Sequence, residues 1–302
     1  MWQYVAMRVP NPLRPGDLVY AVAPSGPFDP VLGWRGLGWL AQRYQVQFDR
    51  EMFRRDGYLA GHDGRRLREL QAALENPLCR AIVAMRGGYG ANRIAHRLDW
   101  ELLRADPKWI VGFSDITALH VEAAAVEVAS LHAPMAATLG RGDASTRQAW
   151  LEALENPLQQ RSYRLRRVCD GQARGRLFGG NLAVLHACAA AGRLKVPSPA
   201  LLFLEDIGER PYRVDRYLST LLAGGAFDTV AGVVLGQFTD CVAANDGKTV
   251  QAVLKELLQP LGIPVAEGLQ AGHELPNMPL HLGSEARLDV GENATLELWL
   301  NA

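Results

Sequence analysis

Ala81-Ile-Val-Ala-Met-Arg-Gly-Gly-Tyr-Gly90 runs five apolar residues straight into a glycine-rich turn, and Trp109-Ile-Val-Gly-Phe-Ser-Asp-Ile116 repeats the pattern some twenty residues later. Short apolar runs that stop at turn residues read as strands. Between and around them the apolar period changes. Arg65–Glu75 repeats Leu at helical intervals and is stopped by Asn76-Pro77, and Ile116–Val126 reads as a further helix. Upstream, Leu18–Ala23 is an apolar strand between Pro15-Gly16-Asp17 and Pro24-Ser25-Gly26, and Tyr44–Phe48 alternates like another. Leu32, Trp39 and Leu40 have helical spacing, but Gly33, Gly36 and Gly38 among them weaken the expected helix. Strands that alternate with helices and are apolar along their length predict a parallel sheet covered on both faces, an α/β fold. Right-handed crossovers then bring every strand's C-terminal end to one edge. Arg86–Gly90 and Phe113–Asp115 both fall on that edge, where open α/β sheets place their ligands.

Further along, the character changes. Arg141–Ser145 is turn-rich, a helix containing Trp150 follows, and Gln159–Arg174 is polar and basic. The expected organisation is an N-terminal α/β domain over 1–145, a connection over 146–174 and a second domain over 175–302. In that second domain Ala200–Leu204 and Thr229–Leu235 read as strands. Ala286–Val290 and Ala294–Leu300 alternate apolar and polar residues, as in a sheet with one wet face.

Composition narrows the function classes. The 302 residues carry 32 Lys+Arg against 32 Asp+Glu, so no basic surplus favours nucleic acid. No apolar run approaches the roughly 18–20 residues needed to span a bilayer. The N-terminal stretch, with Pro10 and Pro12 and no sustained apolar core, is unlike a secretory leader. Cys79, Cys169, Cys188 and Cys241 lie far apart with no metal-binding spacing, which points to buried free thiols, no metal site and a reducing compartment, by default the cytoplasm.

Three places could carry chemistry. Ser114 sits on a strand-to-helix turn, where the first helical N–H groups, including that of Asp115, favour developing negative charge. The same position also suits a plain helix cap, and Ile116 replaces the second glycine of a nucleophile elbow. Arg86–Gly90 lets backbone amides approach a ligand, and Arg86 could meet a carboxylate; no phosphate-loop pattern is spelled out. Glu205 closes the most apolar strand of the second half, with Asp206 and Glu209 as competing carboxylates. Among seven histidines, His62, His96, His120 and His186 have ordinary surroundings, while His132, His273 and His281 compete for a functional role.

The blocks Arg86–Gly90, Gly112–Asp115, Gly179-Gly-Asn181, Leu204–Glu209, Gly236–Asp240 and Gly272-His273, in this order, resemble the LD-carboxypeptidases of serine peptidase family S66, whose relatives include the microcin C immunity peptidases. The resemblance covers nearly the whole chain. It implies a flavodoxin-like N-terminal domain, a smaller β-rich C-terminal domain and a Ser–Glu–His triad of Ser114, Glu205 and His273. It further implies an oxyanion hole from the amides of Gly88 and Asp115, no metal or organic cofactor, and often a homodimer. The implied reaction removes the terminal D-Ala from murein tetrapeptide in cytoplasmic peptidoglycan recycling, with no nucleic-acid or membrane partner. Arg86, Asn181 and His132 are the candidate substrate-binding residues. Ala133 departs from the Gly expected in some relatives and touches no triad position. Three rivals stand beside this reading: a microcin-immunity-like hydrolase of aminoacyl-sulfamoyl nucleotides, a non-catalytic binder of small anions, and a flavodoxin-type electron carrier, which only half the chain fits. The absence of Trp between residues 151 and 298 disfavours the first, which would want an aromatic platform for adenine.

Overall fold

The computed structural model describes residues 7–243 and 247–301. Residues 1–6, with Trp2 and the start of the stretch judged unlike a leader, lie outside the described residues. The chain divides into two compact units, one running to Pro157 and taking in Met278–His281, the other comprising Leu158–Asn277 and Leu282–Asn301.

The first unit alternates strands and helices: β1 (Leu18–Val22), α1 (Pro30–Leu40), β2 (Gln45–Gln47), α2 (Asp63–Glu75), β3 (Cys79–Ala84), α3 (Trp100–Ala105), β4 (Trp109–Gly112), α4 (Thr117–Ala125), β5 (Ser130–His132), α5 (Ala136–Leu139) and α6 (Ala144–Glu155). A late strand, β11 (Leu280–Leu282), joins the edge of the sheet, giving the order β11-β5-β4-β3-β1-β2. The ladders linking β2, β1, β3, β4 and β5 are all parallel. This is the doubly wound arrangement expected from the unbroken apolar runs, with β1 and β4 buried through most of their length. The glycines that weakened α1 on paper have a packing reason. A Cβ at Gly36 would lie 1.9 Å from the Ala136 carbonyl oxygen, and one at Gly140 would lie 2.2 Å from that of Leu32. Helix α1 therefore forms, capped by Asp29 with Pro30 in its first turn, and its glycines let α5 approach its backbone.

The second unit is built on β6 (Arg161–Cys169), β7 (Gly171–Asn181), α7 (Leu182–Ala190), β8 (Ala200–Ile207), α8 (Pro211–Ala223), β9 (Val230–Thr239), α9 (Val250–Leu258), β10 (Val265–Glu267), β12 (Glu285–Val290) and β13 (Ala294–Trp299). Its strands close into a barrel in the order β10-β6-β13-β12-β7-β8-β9. Closure removes the exposed edges that an open sheet would leave. The alternation in β12 and β13 is the expected wet-faced pattern, with every second residue buried.

One expectation is corrected here. The stretch 146–174, read as a connection, consists of most of α6, all of β6 and the start of β7. Its arginines hid the strand. Tyr163 and Leu165 alternate with exposed Ser162, Arg164 and Arg166, so the period-2 pattern is present beneath a basic composition.

Candidate active site

In the first unit, β4 ends at Gly112 and the chain turns through Phe113 into a single 3-10 turn, Ser114–Ile116, that leads into α4. Ser114 takes φ +63°, a left-handed backbone conformation that non-glycine residues seldom adopt. Such strain persists only where the surroundings over-determine it. The surroundings here are tight. A Cβ on Gly87 would fall 3.0 Å from Ser114 Cβ and 3.2 Å from its Oγ, so only glycine lets the loop after β3 lie against the serine. Asp115 is buried and accepts a hydrogen bond from the Ala91 amide at 2.8 Å. Burial pushes its carboxyl up, opposed by that bond. The side chain therefore ties the serine turn to the segment that follows Gly90.

That glycine loop is pinned from beneath. The fully buried Arg66 of α2 donates to the carbonyls of Pro24, after β1, and of Gly90, the latter at 2.8 Å, and pairs with Asp63. Its neighbour Arg65 donates to the Ala23 carbonyl at 2.7 Å and pairs with Glu69, whose carboxylate accepts from the Ala23 amide. Two adjacent arginines thus bind the loops after β1 and β3 at the point where the strand order reverses. Gly88 lies within the pinned loop at φ +106° and is exposed. Arg86 is exposed, and its guanidinium donates to the Pro27 carbonyl at 2.7 Å.

In the second unit, β7, β8 and β9 run parallel and bring their C-terminal ends together, with Asn181 opposite Glu205. Glu205 is fully buried, and its Oε2 accepts from His273 Nδ1 at 2.8 Å. This contact settles which of the three carboxylates meets an imidazole. Asp206 turns the other way, as successive strand residues do. It accepts from Asn181 Nδ2 at 2.9 Å and from the amides of Ala183 and Ile207. Burial, then the charge of Glu205, push Asp206 up to about 7 against those donors. Glu209 instead faces Arg213 and Tyr217.

The ladder between β8 and β9 slips beside Glu205: Leu204 pairs with Leu235 but Asp206 with Phe238, so β9 carries one extra residue. That bulge contains Gly236 and Gln237. A Cβ at Gly236 would lie 2.5 Å from the Ala271 carbonyl, so the loop carrying His273 rests directly on the strand. Gln237 grips the loop on both sides of the histidine. Its amide donates to Ala271 O at 3.0 Å, and its side-chain oxygen accepts from the Glu274 amide at 3.0 Å. Gln237 belongs to the Gly236–Asp240 block, but nothing local marks a glutamine as a loop anchor; only the bulge gives it that place.

The competing histidines are accounted for. His281, on β11, is buried, stands edge-on to Trp109 and shares a 2.8 Å hydrogen bond with the Ala153 carbonyl. His62 caps α2 by accepting from the Arg65 amide, and His186 packs on Tyr217. Two of the expected substrate contacts are buried. His132 is fully buried against the ring of Phe113, centroids 5.6 Å apart. Asn181 is 4% exposed, caps α7 through the Val184 amide and holds Asp206. His132 thus packs on a neighbouring ring, and Asn181 holds a neighbouring carboxylate. His120, dismissed as ordinary, sits directly behind the serine turn, with Nε2 2.9 Å from the Gly112 carbonyl oxygen.

Comparison with known proteins identifies the fold and the family. Residues 19–133 match the LD-carboxypeptidase N-terminal domain and residues 174–288 the LD-carboxypeptidase C-terminal domain. The murein tetrapeptide carboxypeptidase of Pseudomonas aeruginosa is 32% identical, over 77% of this chain and 80% of its own. The crystal structure of muramoyltetrapeptide carboxypeptidase from Oxalobacter formigenes superposes with a TM-score of 0.84 at 30% identity, covering 94% of this chain and all of that one. The microcin C7 self-immunity protein MccF of Escherichia coli is 24% identical over 92% of each chain. No helix among the described residues is long and apolar enough to cross a membrane. The chain belongs to the LD-carboxypeptidase family, S66.

Proposed function

We propose that the protein is a serine LD-carboxypeptidase that removes the terminal D-Ala from murein tetrapeptide, with Ser114 as nucleophile, His273 as general base and Glu205 as its orienting partner. The observation that carries this reading is the 2.8 Å hydrogen bond from His273 Nδ1 to the buried Glu205 carboxylate. An ionised carboxylate has no proton to donate, so in this pair Nδ1 carries the proton and Nε2 is left as the base. In the proposed reaction Ser114 Oγ attacks the peptide carbonyl as His273 Nε2 takes its proton. The resulting oxyanion is met by the amides of Gly88 and Asp115. His273 then protonates the departing D-Ala amine, and water releases the acyl group from Ser114 by the same route in reverse. Glu205 favours the imidazolium formed in each half-reaction, which also offsets the cost of burying that carboxylate. Arg86, exposed and steadied by Pro27, is the cation proposed to meet the substrate's C-terminal carboxylate.

The setting proposed is cytoplasmic peptidoglycan recycling, by a homodimer. Mass spectrometry of a murein tetrapeptide digest tests the reaction: tripeptide plus free D-Ala is expected, and an unchanged tetrapeptide would refute it. Kinship with MccF supports a second reading, hydrolysis of an aminoacyl-sulfamoyl nucleotide by the same residues. The same preparation offered both substrates separates the two, and the larger kcat/KM is expected for the tetrapeptide.

A further inference from the structure

We propose that His120, held as the Nε2–H tautomer, is a positioning residue that clasps the two ends of the Ser114 turn; this rests on the reading of Ser114 as the nucleophile. His120 lies on α4, just past the turn, and is buried. Its Nε2 is 2.9 Å from the carbonyl oxygen of Gly112, the last residue of the strand before the turn, and its Nδ1 is 2.8 Å from Ser130 Oγ. A carbonyl oxygen only accepts, so Nε2 carries a proton. In a neutral ring Nδ1 must then accept from the Ser130 hydroxyl. Burial pushes the imidazole down to about 4, which keeps the ring neutral at ordinary pH.

The Gly112 carbonyl is held from two sides, since the Ala133 amide donates to it at 3.1 Å. Strand end and following helix are therefore joined across residues 113–116, the segment in which Ser114 takes φ +63°. A left-handed serine reverts to ordinary backbone unless its flanks are fixed. The ladder to β5 fixes one flank, and the imidazole ties the other to it. Ser130, at the start of β5, in turn sets the ring's orientation, as an outer partner fixes the tautomer of a metal-bound or catalytic histidine.

Substitution by Gln keeps an N–H near the Nε2 position, whereas Asn moves it near Nδ1, facing Ser130. His120→Gln should retain kcat on murein tetrapeptide within about tenfold, and His120→Asn should lose about a hundredfold, with KM and Tm similar in the two variants. Equal kcat in the two would overturn the clasp. Nitrogen-15 spectra of the wild-type protein read the tautomer without any activity. A protonated Nε2 and bare Nδ1 on His120 at neutral pH are expected, and the opposite tautomer would end the proposal even if neither variant folds. Ser114→Ala in the same assay separates the two claims. Surviving turnover there overturns the nucleophile assignment and the clasp with it; turnover lost there but undiminished in both His120 variants overturns the clasp alone.

Discussion

In the first unit the proposed reactive position is made by backbone. Ser114 is held at φ +63° between a strand and a helix, glycine at 87 leaves room for it, and the buried Arg66 holds the neighbouring loop by the Gly90 carbonyl. In the second unit it is made by side chains. A buried carboxylate orients an imidazole, a second buried carboxylate stands beside it, and a glutamine on a strand bulge steadies the loop. The open sheet lends itself to the first solution because its strand ends feed directly into helix N-termini, where amides are already aimed at solvent. The barrel's β8 ends in adjacent acids, and its solution depends on how each one is paired. Nucleophile placement should therefore be sensitive to Cβ atoms and turn geometry, and base placement to charge and protonation.

The largest expected effects fall on the groups that exchange protons. Ser114→Ala and His273→Ala should each lower kcat by about a million-fold while the variants still bind tetrapeptide, as single-turnover and binding measurements would show. Retained turnover in either would remove that residue from the mechanism. Glu205→Gln comes next, at about ten-thousandfold in kcat, because an amide in place of the carboxylate no longer fixes the Nδ1–H tautomer. A loss below about tenfold would make Glu205 a structural acid only. In the first unit the corresponding change is steric. Gly87→Ala presses on Ser114 Cβ and Oγ and should cost about a hundredfold in kcat with the fold intact by circular dichroism. Wild-type kcat in that variant would show that the serine turn can yield.

The smallest effect is on stability, and its sign follows from Asp206. Its folded pKa is raised to about 7 from an ordinary value of 3.8, so between those limits the native state holds more protons than the unfolded chain. Stability from this group is present at the acid end and is lost as pH rises through about 7. Asp206→Asn should flatten the fall of Tm between pH 4 and 7 by about one proton's worth of slope. Glu69, pushed up to about 7 by burial in the first unit, acts in the same direction, so Glu69→Gln should remove a further part of the slope. An unchanged slope in Asp206→Asn would mean that its three hydrogen-bond donors outweigh burial and the neighbouring charge.

The parallel sheet was legible because its strands are buried on both faces and read as unbroken apolar runs such as Ala81–Met85. Ser114, Glu205 and His273 were singled out only by the resemblance of ordered short blocks to a known family. The residues alone left Ser114 as a plain helix cap, Glu205 beside two other carboxylates and His273 beside two other histidines. A solvated end for the Glu205 strand was as readable as the burial observed. Barrel closure was not legible. Strand β6 is half-exposed and arginine-rich, and β10 is only three residues long, too short to carry a period. The supporting residues were hidden for another reason. Arg66 and Gln237 act through backbone atoms distant in sequence, and His120 reaches the Gly112 carbonyl only once strand and helix have formed, so no local spacing announces these partners.

The cooperation of Ser114 with His273 is tested most directly by a double-mutant cycle in kcat on murein tetrapeptide, using Ser114→Ala, His273→Ala and the pair together. If one proton passes between these two side chains, removing the second after the first costs nothing more, and the double variant should match the slower single one. Losses that multiply would show two groups working independently, and the triad would have to be abandoned.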